Sequence, residues 1–198
     1  MNIALLDYGT GNLHSLAKAM EAHGARVSIL PDLSSATAAD AIVLPGVGAF
    51  GAAAQQLAAS AETLRVALAT GTPCLGICLG MQLLFNESEE GTGAGLGVME
   101  GTVRRLVARR TPHMGWNDVG MADDPLFEGV PQLQAYFANS YIVEPADGSD
   151  VIAWTQYDGV RFPAAVRRDN VWGMQFHPEK SGRDGLRLIG NFLGQVRR

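Results

Sequence analysis

Two short segments of this 198-residue chain carry residue types that could do covalent chemistry together. The first is Gly76-Ile77-Cys78-Leu79-Gly80, placed where an apolar run, Thr72 to Ile77, gives way to a helix-like stretch around Met81 to Phe85. A cysteine with glycine two positions away on either side suits a sharp strand-to-helix turn that holds the thiol out at its apex. Such a turn forces its central residue into an unusual backbone conformation, and flanking side chains larger than glycine would collide. The helix that follows offers unpaired N–H groups and the positive end of its dipole, which favour a thiolate. The second segment is Phe176-His177-Pro178-Glu179-Lys180, at the end of another apolar run. Residues i and i+2 of a strand face one side. Glu179 can therefore orient the His177 imidazole while the imidazole takes a proton from the thiol and returns it to a leaving amine.

Each segment alone is a weak signal. Flanking glycines of this kind arise by chance around one of two cysteines with a probability of roughly 0.03, and a His-x-Glu has a chance expectation of roughly 0.2. Their joint occurrence falls below roughly one in a hundred, so the functional reading prevails. Cys74, four residues earlier, has no such turn and reads as a core residue. His14 and His23 fall on the first helix as exposed residues, and His113 follows Pro112 in a loop; none has a carboxylate two residues on.

The elements that must position these residues alternate in the first half of the chain. Asn2 to Leu6, Val27 to Leu30, Ala41 to Leu44 and Thr72 to Ile77 read as strands. Leu13 to Ala22, an Ala-rich stretch from Gly51 to Ala69 and the segment after Cys78 read as helices. Alternation of this kind implies a parallel sheet covered by helices. After Gly91 the pattern shifts to short β-type segments: Thr102 to Val107, Trp116 to Met121, Tyr136 to Val143, Val151 to Tyr157, Phe162 to Arg167 and Val171 to Gln175. A last helix runs from Arg183 to Val196. The fold class is α/β, a central and mostly parallel sheet flanked by helices with an antiparallel β extension, in one domain spanning 1–198.

With 15 Lys and Arg against 20 Asp and Glu, the net charge of -5 argues against a nucleic-acid binder. Two long uncharged stretches, Ala41 to Ala61 and Val66 to Asn86, are interrupted by Pro45, Gly46, Gly48 and Gly51 and by Gly71, Pro73, Gly76 and Gly80. Buried strand-loop-helix units are expected there rather than membrane spans. Two cysteines make no disulfide framework, and the N-terminus shows no basic leader, so a reduced, cytoplasmic setting is expected.

The segments quoted so far, together with Asp7-Tyr8-Gly9-Thr10-Gly11-Asn12, Pro45-Gly46-Val47-Gly48 and Pro112-His113-Met114-Gly115-Trp116-Asn117, resemble the class I (triad) glutamine amidotransferases nearly end to end. The elbow and the His-Pro-Glu belong to the whole class. The other three segments are most similar to the branch of glutaminase subunits of imidazole glycerol phosphate synthase. The resemblance implies a flavodoxin-like arrangement, no cofactor and no metal. It implies that Cys78 attacks the side-chain amide of glutamine, with His177 and Glu179 completing the triad. The N–H of Leu79 and a peptide of the Pro45 to Gly48 loop, at Val47 and Gly48, would receive the oxyanion. Gln82, Gly46, Ser140 and Tyr141 would hold the substrate, although Asn139 stands where the family has histidine. Asn12, Trp116 and Lys180 would face a cyclase subunit with a (β/α)8 barrel. Alternatives are a glutaminase of pyridoxal phosphate, purine or anthranilate synthesis, a free-standing cysteine peptidase on the same fold, or an inactive binding subunit.

Overall fold

A computed structural model describes residues 1–9, 13–31 and 33–197. Its first half runs β1 (Asn2–Leu6), α1 (His14–Glu21), β2 (Arg26–Leu30), a 3-10 turn (Leu33–Ala38), β3 (Ala41–Leu44), α2 (Phe50–Leu57), α3 (Ala61–Ala69), β4 (Cys74–Ile77) and α4 (Leu79–Gln82). The second half adds β5 (Glu87–Ser88), β6 (Gly101–Arg105), β7 (His113–Met121), β8 (Leu133–Asn139), β9 (Tyr141–Pro145), β10 (Val151–Tyr157), β11 (Val160–Arg168), β12 (Val171–Met174) and α5 (Gly182–Val196). Nine strands form one sheet in the order β2-β1-β3-β4-β12-β11-β10-β7-β8. The pairs from β2 to β12 are parallel and those from β12 to β8 antiparallel. A second sheet, β5-β6-β9, stands apart.

The parallel strands read as unbroken apolar runs because both of their faces are covered. Ile3 and Leu5 of β1 pack in one cluster with Leu16 and Met20 of α1 and Leu188 and Phe192 of α5. Ala4 and Leu6 of the same strand pack in another with Phe50 and Leu57 of α2 and Leu64 of α3. The period of two along the strand thus divides its side chains between two helical layers. Among the described residues no helix is long and apolar enough to cross a membrane.

Several expected elements differ in the structure. The Ala-rich stretch is two helices, broken at Ala58 to Ser60, where the Ser60 N–H turns back to the Leu57 carbonyl. The apolar stripe keeps its phase through Phe50, Ala53, Leu57, Ala61, Leu64 and Leu68, so periodicity could not reveal the break. The run from Tyr136 to Val143 is likewise two strands: β8 pairs with β7 in the large sheet, and β9 crosses at Ser140 to the small one. His113 opens β7 instead of lying in a loop.

The return of β12 to the parallel half decides the function of the fold. It lies beside β4 with Gly173 opposite Gly76 and Met174 opposite Ile77. The residues that follow each strand, Cys78 on one and Gln175 to His177 on the other, therefore emerge side by side at the C-terminal edge of the sheet, the usual place for a site in a parallel sheet.

Candidate active site

Cys78 sits between β4 and α4 with φ 50° and ψ -104°, a conformation disfavoured for any residue with a side chain. Neighbouring backbone holds it there. A Cβ on Gly80 would come within 2.0 Å of the Leu44 carbonyl oxygen, and one on Gly76 within 2.6 Å of the Gly80 carbonyl. The flanking glycines are thus demanded by close backbone contact, as the spacing implies. The Cys78 N–H is anchored on the Met174 carbonyl of β12.

His177 follows β12 and is 2% exposed. Its N–H donates to the Tyr136 carbonyl, and its own carbonyl accepts from the buried Ser181 hydroxyl, which in turn accepts from the Tyr136 N–H. Ser181 thereby ties β8 to the turn that carries the imidazole. His177 Nδ1 lies 2.9 Å from Glu179 Oε1, while Glu179 Oε2 is buried without a partner. Burial alone would lower the His177 pKa, but hydrogen bonds to Cys78 and Glu179 outweigh it and push the value up to about 9. The imidazole therefore holds a proton at neutral pH, between a sulfur and a carboxylate that both stabilise its charge.

A pocket of about 230 Å³ opens over this pair. Its lining takes in the Gly46 to Gly48 loop, Leu79 and Gln82 after Cys78, the Asn139 to Tyr141 segment, His177 and Lys180. Larger clefts exist, such as one of about 480 Å³ lined by Arg109, Arg110, Tyr157 and Asp158, which has no cysteine in its lining. The expected triad, oxyanion and substrate residues thus share one cavity, Glu179 standing behind His177. Lys180 lines it, and Trp116 does not. Trp116 is 57% exposed, which excludes a core role, and meets Tyr136 edge-on, while the Lys180 ammonium lies 6.0 Å from the Tyr136 ring centroid. Asn12 lies outside the described residues. Among the described residues no group of three or more His, Cys, Asp or Glu is placed to hold a metal ion.

Three residues of the site escaped the sequence reading. Glu90 lines the pocket and accepts the Phe50 N–H at the start of α2; nothing local distinguishes it from Glu89. The buried Tyr8 hydroxyl donates to the Pro45 carbonyl, fixing the base of the 45–48 loop. Burial, then the negative charges of Cys78, Cys74 and Asp7, raise the Tyr8 pKa well above its ordinary value, so that it stays a donor. Gln175, fully buried, donates to Cys78 Sγ at 3.4 Å and accepts from Gln82. The strand alternation expected to pair His177 with Glu179 is not what the structure uses: β12 ends at Met174, and Glu179 reaches the imidazole from a 3-10 turn, Pro178–Lys180.

Residues 4–196 match the family model "Glutamine amidotransferase class-I". Imidazole glycerol phosphate synthase subunit HisH of Synechococcus sp. (strain JA-3-3Ab) is 44% identical, covering 100% of this chain and 95% of that protein. The subunit of the same name from Methanothermobacter thermautotrophicus is 46% identical, covering 98% and 99%. Among solved structures, a glutamine amidotransferase superposes with a TM-score of 0.79 at 19% identity over 99% of both chains. PurLQS from Thermotoga maritima gives 0.77 at 21% identity over 98% of both. The structural likenesses establish the fold, and the sequence relationship, running end to end through the elbow and the His-Pro-Glu, places the chain in the class-I glutamine amidotransferase family, on the branch of HisH subunits.

Proposed function

We propose that this chain, acting as one domain in the cytoplasm, hydrolyses glutamine to glutamate and ammonia and passes the ammonia to a cyclase subunit with a (β/α)8 barrel. The complex would make imidazole glycerol phosphate and AICAR in histidine biosynthesis. The observation that carries the reading is the pairing of a strained, pocket-lining Cys78 with a buried His177 that is itself held by Glu179. The name of the end-to-end relatives supplies the pathway.

In this reading the Cys78 thiolate attacks the amide carbon of glutamine. The oxyanion is received by the Leu79 N–H, which heads α4, and by a peptide at Val47 or Gly48. His177 gives its proton to the departing nitrogen, and ammonia leaves. The neutral imidazole then takes a proton from water, which attacks the thioester and releases glutamate. At the far end of the pocket, Gln82 spends both amide hydrogens on the Tyr141 carbonyl and Gln175, leaving its oxygen and the Glu90 carboxylate to meet the substrate ammonium. Backbone groups of Ser140 and Tyr141 meet the carboxylate end. Trp116 and Lys180 form the docking rim.

Ammonia set free before an acceptor is bound would be lost to water, so hydrolysis is expected to be slow in the isolated chain. A second oxyanion donor turned away at rest would cost roughly 3–4 kcal/mol, about a hundred- to thousandfold in rate, and a partner that prefers the active loop would restore it. Glutamate release is measured for the chain alone, with the cyclase subunit, and with the cyclase plus its ribonucleotide substrate. A stepwise rise of that size supports the proposal; full activity in the isolated chain returns the free-standing amidase to favour.

A further inference from the structure

The buried amides beside the nucleophile form a relay whose direction is fixed by a backbone carbonyl. Gln82 Nε2 lies 3.2 Å from the Tyr141 carbonyl oxygen and 3.2 Å from Gln175 Oε1. A carbonyl can only accept, so the nitrogen of Gln82 must face Tyr141 and must donate to Gln175. The oxygen of Gln175 is thereby turned toward Gln82. Among the described residues its Nε2 is left with one partner, the sulfur of Cys78 at 3.4 Å. Gln175 cannot turn over to offer its oxygen to the sulfur without setting two amide nitrogens against each other in a site where Gln175 is 0% and Gln82 4% exposed. The backbone supports this: the Gln175 N–H is held by the Ala164 carbonyl of β11, on the far side of β12 from Cys78.

We propose, building on the glutaminase reading above, that Gln175 is the thiolate-holding residue of this site, an obligatory N–H donor that stabilises the sulfur anion and links it to the residue that reads the substrate. A neutral thiol is a poor acceptor, whereas an anion strengthens such a bond about twofold. The donor thus favours the charged nucleophile over the thiol. It also fixes the sulfur's direction, so that Cys78 meets His177 and the incoming amide from a set position. The same side chain keeps the Gln82 amide in the orientation that presents its oxygen to an ammonium, so that substrate reading and nucleophile charge share one support.

The test is the rate at which iodoacetamide alkylates Cys78 in the full chain, followed by peptide mapping from pH 5 to 10. Gln175→Glu keeps an acceptor for Gln82 but replaces the donor at the sulfur by a like charge. Gln175→Leu removes both contacts. At pH 7 alkylation should slow about tenfold in Gln175→Leu, the loss of one charge-assisted hydrogen bond, and further in Gln175→Glu. Near pH 10, where thiols ionise unaided, the Gln175→Leu rate should converge on the wild-type rate. A merely structural role would alter the rate equally at every pH, and that outcome, or an unchanged rate at pH 7, overturns the proposal. Should the variants not fold, the wild-type chain decides: the Gln175 side-chain amide resonances must move when Cys78 is alkylated, and their constancy overturns it as well. The assay needs neither glutamine nor the partner. Glutamine hydrolysis by the wild-type complex, run beside it, separates failure of this proposal from failure of the glutaminase reading.

Discussion

The two ends of β4 carry one cysteine each, and nearly everything about their chemistry differs. Cys74 opens the strand inside the cluster under α2 and α3, fully buried, with its pKa pushed up to about 12 by burial alone. Cys78 lies just past the other end, almost as buried at 7% exposed, yet it has an imidazole, an amide donor and the head of a helix around it. Burial by itself makes a thiol inert. What sets the second thiol apart, and would make it the nucleophile of the proposed reaction, is its polar partners; Gln175 and His177 come from the segment that follows β12, nearly a hundred residues away in sequence.

The strongest way to break this comparison is to delete each sulfur. Cys78→Ala should abolish glutamine-dependent synthesis in the reconstituted complex, by roughly a millionfold in the hydrolytic step as for other lost nucleophiles, while synthesis from added ammonia continues. Cys74→Ala should hydrolyse glutamine within about twofold of wild type and cost about 1–2 kcal/mol of stability through the small void it leaves. Equal loss of ammonia- and glutamine-dependent synthesis in a folded, partner-bound Cys78→Ala would assign Cys78 a part beyond ammonia release.

The glycines at the two ends sharpen the same contrast. Gly80 leaves a Cβ only 2.0 Å from the Leu44 carbonyl oxygen, whereas Gly71, in the loop that leads into β4, has open space around its Cβ and a φ of +106°. Gly80→Ala must push β3 away from α4, and with them the 45–48 loop and the Leu79 N–H. Destabilisation of about 3 kcal/mol or more is expected, together with loss of hydrolysis in whatever folds. Gly71→Ala pays only for its backbone conformation, roughly 1–2 kcal/mol, and hydrolysis should persist. Urea unfolding and glutamate release on both variants check this; similar costs at the two sites would show that the elbow tolerates displacement.

How much of this was legible beforehand follows from the range of each signal. The elbow and the His-x-Glu are local signals, and their spacing marked them out, although Glu179 meets His177 through the 3-10 turn Pro178–Lys180 and not by strand alternation. The parallel core was legible for the same reason, since strands covered on both faces leave unbroken apolar runs. What could not be read was set by pairing between distant segments. The break at Ser60 leaves the apolar phase intact, and the crossing of β8 into β9 at Ser140 falls inside one β-rich run. Glu90 gains meaning only from the pocket it lines. Gln175 was nearer to view, two residues before His177, but its partners Gln82 of α4 and Cys78 are supplied by the fold.

The smallest expected effect concerns two histidines that are equally enclosed, His177 and His113, each 2% exposed. Burial lowers the His113 pKa to about 4, for its ring is stacked between Phe137 and Tyr157 and its Nδ1 has no partner. His177, in contact with sulfur and carboxylate, is raised to about 9. The signs are opposite. With the ordinary value near 6.5 in the unfolded chain, His177 contributes stability that is complete below about 6.5 and is lost as pH rises through about 9. His113 contributes none of its burden above about 6.5, and costs stability as pH falls from there to about 4, because unfolding then lets it take up a proton. Hydrolysis by the stimulated complex should accordingly decline above pH 9, where His177 no longer has a proton for the leaving ammonia. Thermal unfolding should weaken between pH 6.5 and 4, and His113→Phe, which keeps the stack without a titrating ring, should flatten that limb by roughly 2–4 °C per kcal/mol relieved while leaving the alkaline limb unchanged. An acid limb of the same slope in His113→Phe would mean that other groups, such as the half-buried Asp124–Arg167 and Asp150–Arg168 pairs, govern acid unfolding, and that an aromatic enclosure and a polar one differ less for an imidazole than their pKa values imply.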